Sequence, residues 1–284
     1  MATKRKTKTR TTSRQARASK PPQPTGLTRP TKLITTQLQD IQVQYQNLFQ
    51  AYVNEYVIPH REAGQVIDDS TVNIFTDDLR DKLLNAVRYG VDMWRLQAHF
   101  ANIMIMGQTA IGNPGCLNGP NLKPWILQAP GVYNATGDKA TLIRSVADAV
   151  TVNFTQWMNA VTVPGLPWYP MFVAVAAPFA SPTPNVPMPL IVCVSQHQDK
   201  LMSPYQIETA IRAQLPNKLL TESADLFLLT LSAQLANYFT SWLVSQNVMM
   251  VMGMGPVPTF NPPYVPVGSV VNGYVIPSPG HLAV

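Results

Sequence analysis

Apolar residues recur at steps of three and four in five separate stretches of this chain, the spacing of a buried helical stripe. In the first stretch Leu38, Ile41, Tyr45, Leu48, Phe49, Tyr52, Val53 and Tyr56 align on one face, and Pro59 ends the run. Its other face is Gln, Thr and Asn instead of charges, which fits a helix with neighbours on more than one side. The second stretch has clearer punctuation. Thr76 can cap it, Asp77 and Asp78 occupy the first turn, where the helix dipole favours negative charge, and Leu79, Leu83, Val87, Val91, Trp94 and Ala98 mark the buried face. The pattern predicts a helix to about residue 105.

Leu142, Val146, Val150, Phe154, Trp157 and Val161 predict a third helix, stopped by Pro164 and Gly165. The fourth is short: Ser203 caps it, Pro204 takes the first helical position, Gln206 closes a capping box, and Ile207, Ile211 and Leu215 face inward. A fifth begins near Thr221 and carries Leu226, Leu229, Ala233, Ala236, Tyr238 and Trp242.

The intervening chain lacks this period. Residues 107–137 hold six glycines and four prolines and predict an irregular insert anchored by Trp125, Ile126 and Leu127. Eight prolines lie between Pro164 and Pro189, around the apolar runs Met171–Ala177 and Leu190–Val194. Those runs predict edge or isolated strands, joined by a turn through Ser181, Pro182, Thr183, Pro184 and Asn185. Near the end of the chain, Asn272 and Gly273 predict a hairpin pairing Val270 and Val271 with Tyr274 and Val275. The expected fold class is mainly α, about five helices with a minor β component from the Pro-rich extended segments and the C-terminal hairpin. The expected organisation is a disordered arm at 1–32, a helical body at 33–252 with an insert at 107–137 and an extended segment at 164–198, and an apolar Pro-rich tail at 253–284.

One internal echo stands out: Trp94 followed by Asn102 to Gly107 matches Trp242 followed by Asn247 to Gly253, each a helix running into a methionine-rich exit. The methionines suit flexible packing or a hydrophobic contact.

Charge changes the picture more than composition does. The net charge of +6 is the sum of unlike parts: residues 1–32 carry ten Lys or Arg and no acid, while the other 252 carry eleven bases against fifteen acids. Lys4, Arg5, Lys6, Lys8, Arg10, Arg14, Arg17, Lys20, Arg29 and Lys32 lie among Thr, Ser, Gln and Pro, with almost nothing apolar before Leu27. Such a segment buries too little surface to offset its ordering entropy, and its cations attract phosphate without reading base sequence. The expected partner is RNA or DNA. The same composition also fits a targeting signal, an anionic membrane or a solubilising tail. No apolar run follows the basic residues, so a classical secretory signal is not expected.

Only 13% of the residues are charged, against roughly a quarter in ordinary soluble domains. No charged residue occurs between Asp148 and Asp199, or after Asp225 as far as Val284. Surfaces built from these stretches are expected to meet other subunits or lipid. Residues 226–252 are long enough to cross a bilayer, although Gln234, Asn237, Ser241, Gln246 and Asn247 make lipid burial costly. The large aromatics Tyr45, Tyr52, Trp94, Trp125, Trp157, Trp168, Trp242, Tyr264 and Tyr274 are the expected interface anchors.

Candidate chemistry is sparse. Cys116 and Cys193 are far apart in sequence, and His60, His99, His197 and His281 form no metal-ligand spacing. Phosphate-loop and nucleophile-elbow motifs are absent, Ser195 and His197 have no carboxylate to complete a triad, and the adjacent pairs Asp68/Asp69 and Asp77/Asp78 diverge on any regular element. Neither enzyme activity nor a cofactor is expected. The expected function is that of a structural subunit of a large assembly, such as a virion or phage-like particle, made of copies of this chain and other subunits, with the arm on nucleic acid. The alternative is a membrane-associated protein whose arm binds anionic headgroups.

Overall fold

The computed structural model describes residues 74–169, 172, 174–260 and 268–284, and these belong to one compact unit. The arm at 1–32 and the helix expected over 38–56 lie outside the described residues. Helix α1 (Asp77–Gln97) starts as its sequence requires: the Thr76 hydroxyl accepts the Leu79 N–H at 3.2 Å, and Asp77 and Asp78 fill the first turn. It stops eight residues short of the expected end. Ala98 is extended, β1 (His99–Phe100) follows, and Asn102 takes a φ of 55° before β2 (Ile103–Met106). The Ile and Met residues of β2 have no strong local preference against strand, and pairing on both sides overrides the helical pattern.

The insert expected to be irregular contains β3 (Thr109–Gly112), β4 (Leu117–Asn118) and the short helix α2 (Lys123–Gln128). Helix α2 packs on α1 at Gly90, where a Cβ would lie 2.7 Å from Ile126 Cγ1. Helix α3 (Gly137–Asn159) ends before Pro164, because Val161 already belongs to β5 (Val161–Pro167). The remaining elements are β6 (Phe179–Pro184), β7 (Met188–Pro189), a 3-10 turn at Leu190–Val192, β8 (Val194–Ser195), α4 (Asp199–Met202) and α5 (Pro204–Gln214). A second 3-10 turn at Asn217–Leu219 leads to α6 (Glu222–Ser245), β9 (Asn247–Val248), β10 (Met252–Pro256), β11 (Gly273–Ile276) and β12 (Leu282–Ala283). Helices α5 and α6 begin at the expected caps, Ser203 and Thr221.

Helices α1, α3 and α6 share one core. Each carries a Trp within its last four residues, and Trp94, Trp157 and Trp242 meet edge to face with ring centroids 6.0–6.4 Å apart around Phe154. None of the three indole N–H groups has an acceptor among the described residues. Ring edges against neighbouring π faces are the compensation open to them. Helix α6 is buried on most sides, Ser232 and Thr240 included. The lack of charge after Asp225 thus reflects, as far as Ser245, this chain's own core. Among the described residues no helix is long and apolar enough to cross a membrane.

Seven strands form one antiparallel sheet in the order β6-β10-β11-β2-β3-β5-β8, beside a three-stranded sheet β12-β9-β7 and the pair β1-β4. The described residues are about 48% helix and 23% strand, so the fold is α with a substantial β part, not mainly α. The β content was underestimated because its partners are distant in sequence. The hairpin expected at Asn272 does not form: the residue has a φ of 54°, but β11 pairs with β10 and β2. The expected turn at Ser181–Pro184 is strand β6, at a sheet edge where proline costs no ladder bond. Of the Met171–Ala177 run, the paired residue among those described is Val175, bridged to Gly268.

The sheet curls back on itself. Trp168, continuing β5, bridges Asn185, continuing β6, and Trp168 Nε1 donates to the Thr183 carbonyl at 2.9 Å. Asn185 is buried with its amide satisfied: Nδ2 donates to the Val186 and Val248 carbonyls, and Oδ1 accepts the Val251 N–H. The Trp168 ring fills the concave side, where Gly253 leaves room that a Cβ, 2.8 Å from the indole, would take.

His281 fastens the last strand. It has no solvent exposure; its Nδ1 accepts the Phe100 N–H at 2.9 Å, which leaves Nε2 protonated and donating to Ser278 Oγ at 2.9 Å. Burial, and secondarily His99, lower its pKa to about 4.

Candidate interaction surface

Strand register divides the seven-stranded sheet into two unlike faces. On the concave face the paired residues Gly253 and Val275, then Gly273, Ile105, Ala110 and Leu166, are buried or nearly so. On the convex face Met254, Tyr274, Met104 and Ile111 stand in one cross-strand row over four neighbouring strands. Tyr274, Met104 and Ile111 are each 50% exposed, and Met106 beside them 45%. Phe179 and Pro256 extend this surface at one edge, and Val194 at the other.

No strand of this sheet contains Asp, Glu, Lys, Arg or His. Its strands come from three stretches free of Asp, Glu, Lys and Arg: β2 and β3 from 96–122, β5, β6 and β8 from 149–198, and β10 and β11 from 226–284. The first of these runs is absent from the sequence reading, yet it is visible as the interval between Arg95 and Lys123. Each run begins within α1, α3 or α6, the helices that end in the clustered tryptophans. The Trp94/Trp242 echo is structural too: α1 and α6 each enter a two-residue strand, then a residue of positive φ, Asn102 or Met250, then β2 or β10, which flank β11.

The aromatic anchors sort unevenly. Trp94, Trp157, Trp168 and Trp242 are at most 5% exposed and serve the chain's own core, which corrects their assignment as contact residues. A Trp on a helix that points into its own bundle has the same spacing as one that points outward. Trp125 is half-buried on α2, and Tyr274 lies at the centre of the convex row. Tyr45, Tyr52, Tyr264 and all ten arm cations fall outside the described residues. Met104 and Met106, from the methionine-rich exit after Trp94, and Ile111, which carried no signal in the sequence, join Tyr274 in the convex surface.

Catalytic geometry is wanting among the described residues. Ser195 Oγ donates to the Trp157 carbonyl at 2.8 Å and accepts the His197 N–H, so it ties β8 to α3. Burial raises the Cys116 thiol to about 11 and the Cys193 thiol to about 12, leaving both protonated and unreactive. No group of three His, Cys, Asp or Glu residues is arranged to hold a metal among the described residues. A shallow pocket of about 260 Å³, lined by Asp78, Lys82, Tyr133, Asn134 and Lys139 among others, contains no nucleophile paired with a base. No protein-family model matches the chain, and no curated protein or solved structure is significantly similar to it.

Proposed function

We propose that this chain is a structural subunit of a large assembly of the virion or phage-like particle kind, holding nucleic acid through residues 1–32 and neighbouring subunits through its uncharged body surfaces. The observation that carries the reading is division of charge. Ten cations sit in one 32-residue segment, and the convex sheet face has none of either sign. Neutralising phosphates with the arm releases counterions and gives strong, sequence-independent attraction. An uncharged, methionine-rich face gains by meeting another such face and has no charge to desolvate. The buried thiols and the structural use of Ser195 support a role without covalent chemistry.

The experiment has two arms. Light scattering and electron microscopy of the purified full chain should show large assemblies; a monomer at all concentrations refutes the reading. Deleting residues 1–32 should flatten the salt dependence of RNA and DNA binding while circular dichroism of the body stays unchanged. Binding with the same salt slope after the deletion removes the arm from the proposal.

A further inference from the structure

We infer that the convex face of the seven-stranded sheet, centred on Tyr274 and Met104, packs against the same face of a second copy of this chain. The inference rests on the structural-subunit reading and names the contact that reading leaves open. Three observations favour a second copy over other occupants.

The first is charge. A nucleic acid needs cations, and the strands supply none. A protein partner with charges at its contact surface would lose their hydration here with no opposite charge in return. The same face of another copy is matched in polarity by construction, and a two-fold contact is self-complementary.

The second is area. The row Met254, Tyr274, Met104 and Ile111, with Met106, Met252, Ile276, Thr109, Phe179 and Pro256 around it, includes eight long or aromatic side chains that are exposed or half-buried. At roughly half the 150–250 Å² an aromatic buries, less for the smaller residues, the patch offers on the order of 700 Å². A stable interface takes about 800 Å² from each partner, and an isolated monomer rarely shows a contiguous apolar patch above about 600 Å².

The third is adaptability. Met104, Met106, Met252 and Met254 are unbranched, so two curved faces can interdigitate by rotamer change without moving the backbone.

Cysteine scanning tests this directly, because the chain's own two thiols, Cys116 and Cys193, are buried. Met104→Cys and Tyr274→Cys in the full chain should join into covalent dimers with a short bifunctional maleimide. Their alkylation should slow about tenfold at protein concentrations well above the dissociation constant. Tyr205→Cys and Tyr133→Cys, at positions 65% and 63% exposed elsewhere, serve as controls and should alkylate at one rate throughout. If assemblies form while the Met104→Cys thiol reacts as fast as the controls, the convex face is free in the assembly; the inference fails and the structural-subunit reading survives. If no assembly forms at any concentration, both fail. Protection by neutral phosphatidylcholine vesicles, without protein dimers, identifies lipid as the occupant and overturns the inference.

Discussion

Acid should release the C-terminal strand through His281. In the folded chain this imidazole is fully buried, accepts the Phe100 N–H at Nδ1 and has His99 as its nearest ionisable influence. A proton added to Nδ1 would face that N–H, and among the described residues the side chain's hydrogen-bond partners are the Phe100 N–H and Ser278 Oγ, neither a carboxylate. The folded pKa is about 4 against an ordinary 6.5. Above pH 6.5 neither state is protonated and His281 contributes no pH dependence. Between 6.5 and 4 the unfolded chain holds one proton more than the folded chain, so stability falls as pH falls, by about 1.4 kcal/mol per pH unit and about 3 kcal/mol in all. Below about 4 both states are protonated and the loss levels off. His281→Asn retains an acceptor for the Phe100 N–H but does not titrate. Urea unfolding of both proteins from pH 7.5 to 4 should show the variant less stable at neutral pH, with the gap narrowing by about 3 kcal/mol on acidification while the shared carboxylate effects cancel. A gap that stays constant across that range refutes the argument.

Two further outcomes follow from packing. Gly253→Ala should lower stability by about 1–3 kcal/mol in thermal or urea unfolding, since its Cβ would press on Trp168 and Ile105 inside the curled sheet; an unchanged midpoint means that the ring and strand yield freely. Cys116 and Cys193 should resist a disulfide reagent at pH 8 and become reactive at the rate of unfolding, because burial holds both thiols far above that pH; rapid labelling of the native chain contradicts their burial.

Helices α1, α3, α5 and α6 were legible in the sequence because their signals are local, whereas the short α2 and α4 were not. Thr76, Ser203 and Thr221 act within three residues of themselves, and the stripes of α1, α3 and α6 need no distant partner. The sheet was not legible, and β2 shows why. Ile103, Met104, Ile105 and Met106 alternate between buried and exposed, but both sets are apolar, so the alternation of polarity that marks a half-buried strand is missing. The property that hid the strand is the one that makes its outer face a candidate contact. Proline misled in the same region, since Pro182 and Pro184 are tolerated in β6 only because it is an edge strand. The arm expected from charge lies outside the described residues, and the helix-end tryptophans needed the fold to show that they face one another.

The order of strands in the sheet also bears on how the chain comes off the ribosome. Strand β11 is the last of the seven in sequence yet lies between β10 and β2, and the Phe100–His281 bond spans 181 residues. Strands β2 and β3 therefore precede in the chain, by a long interval, the strand that completes their side of the sheet. Loop closure over such distances is slow. Until it happens the methionine-rich row, which spans β10, β11, β2 and β3, has no rigid surface to offer. In the proposed assembly, completion of the fold would be the timer for association.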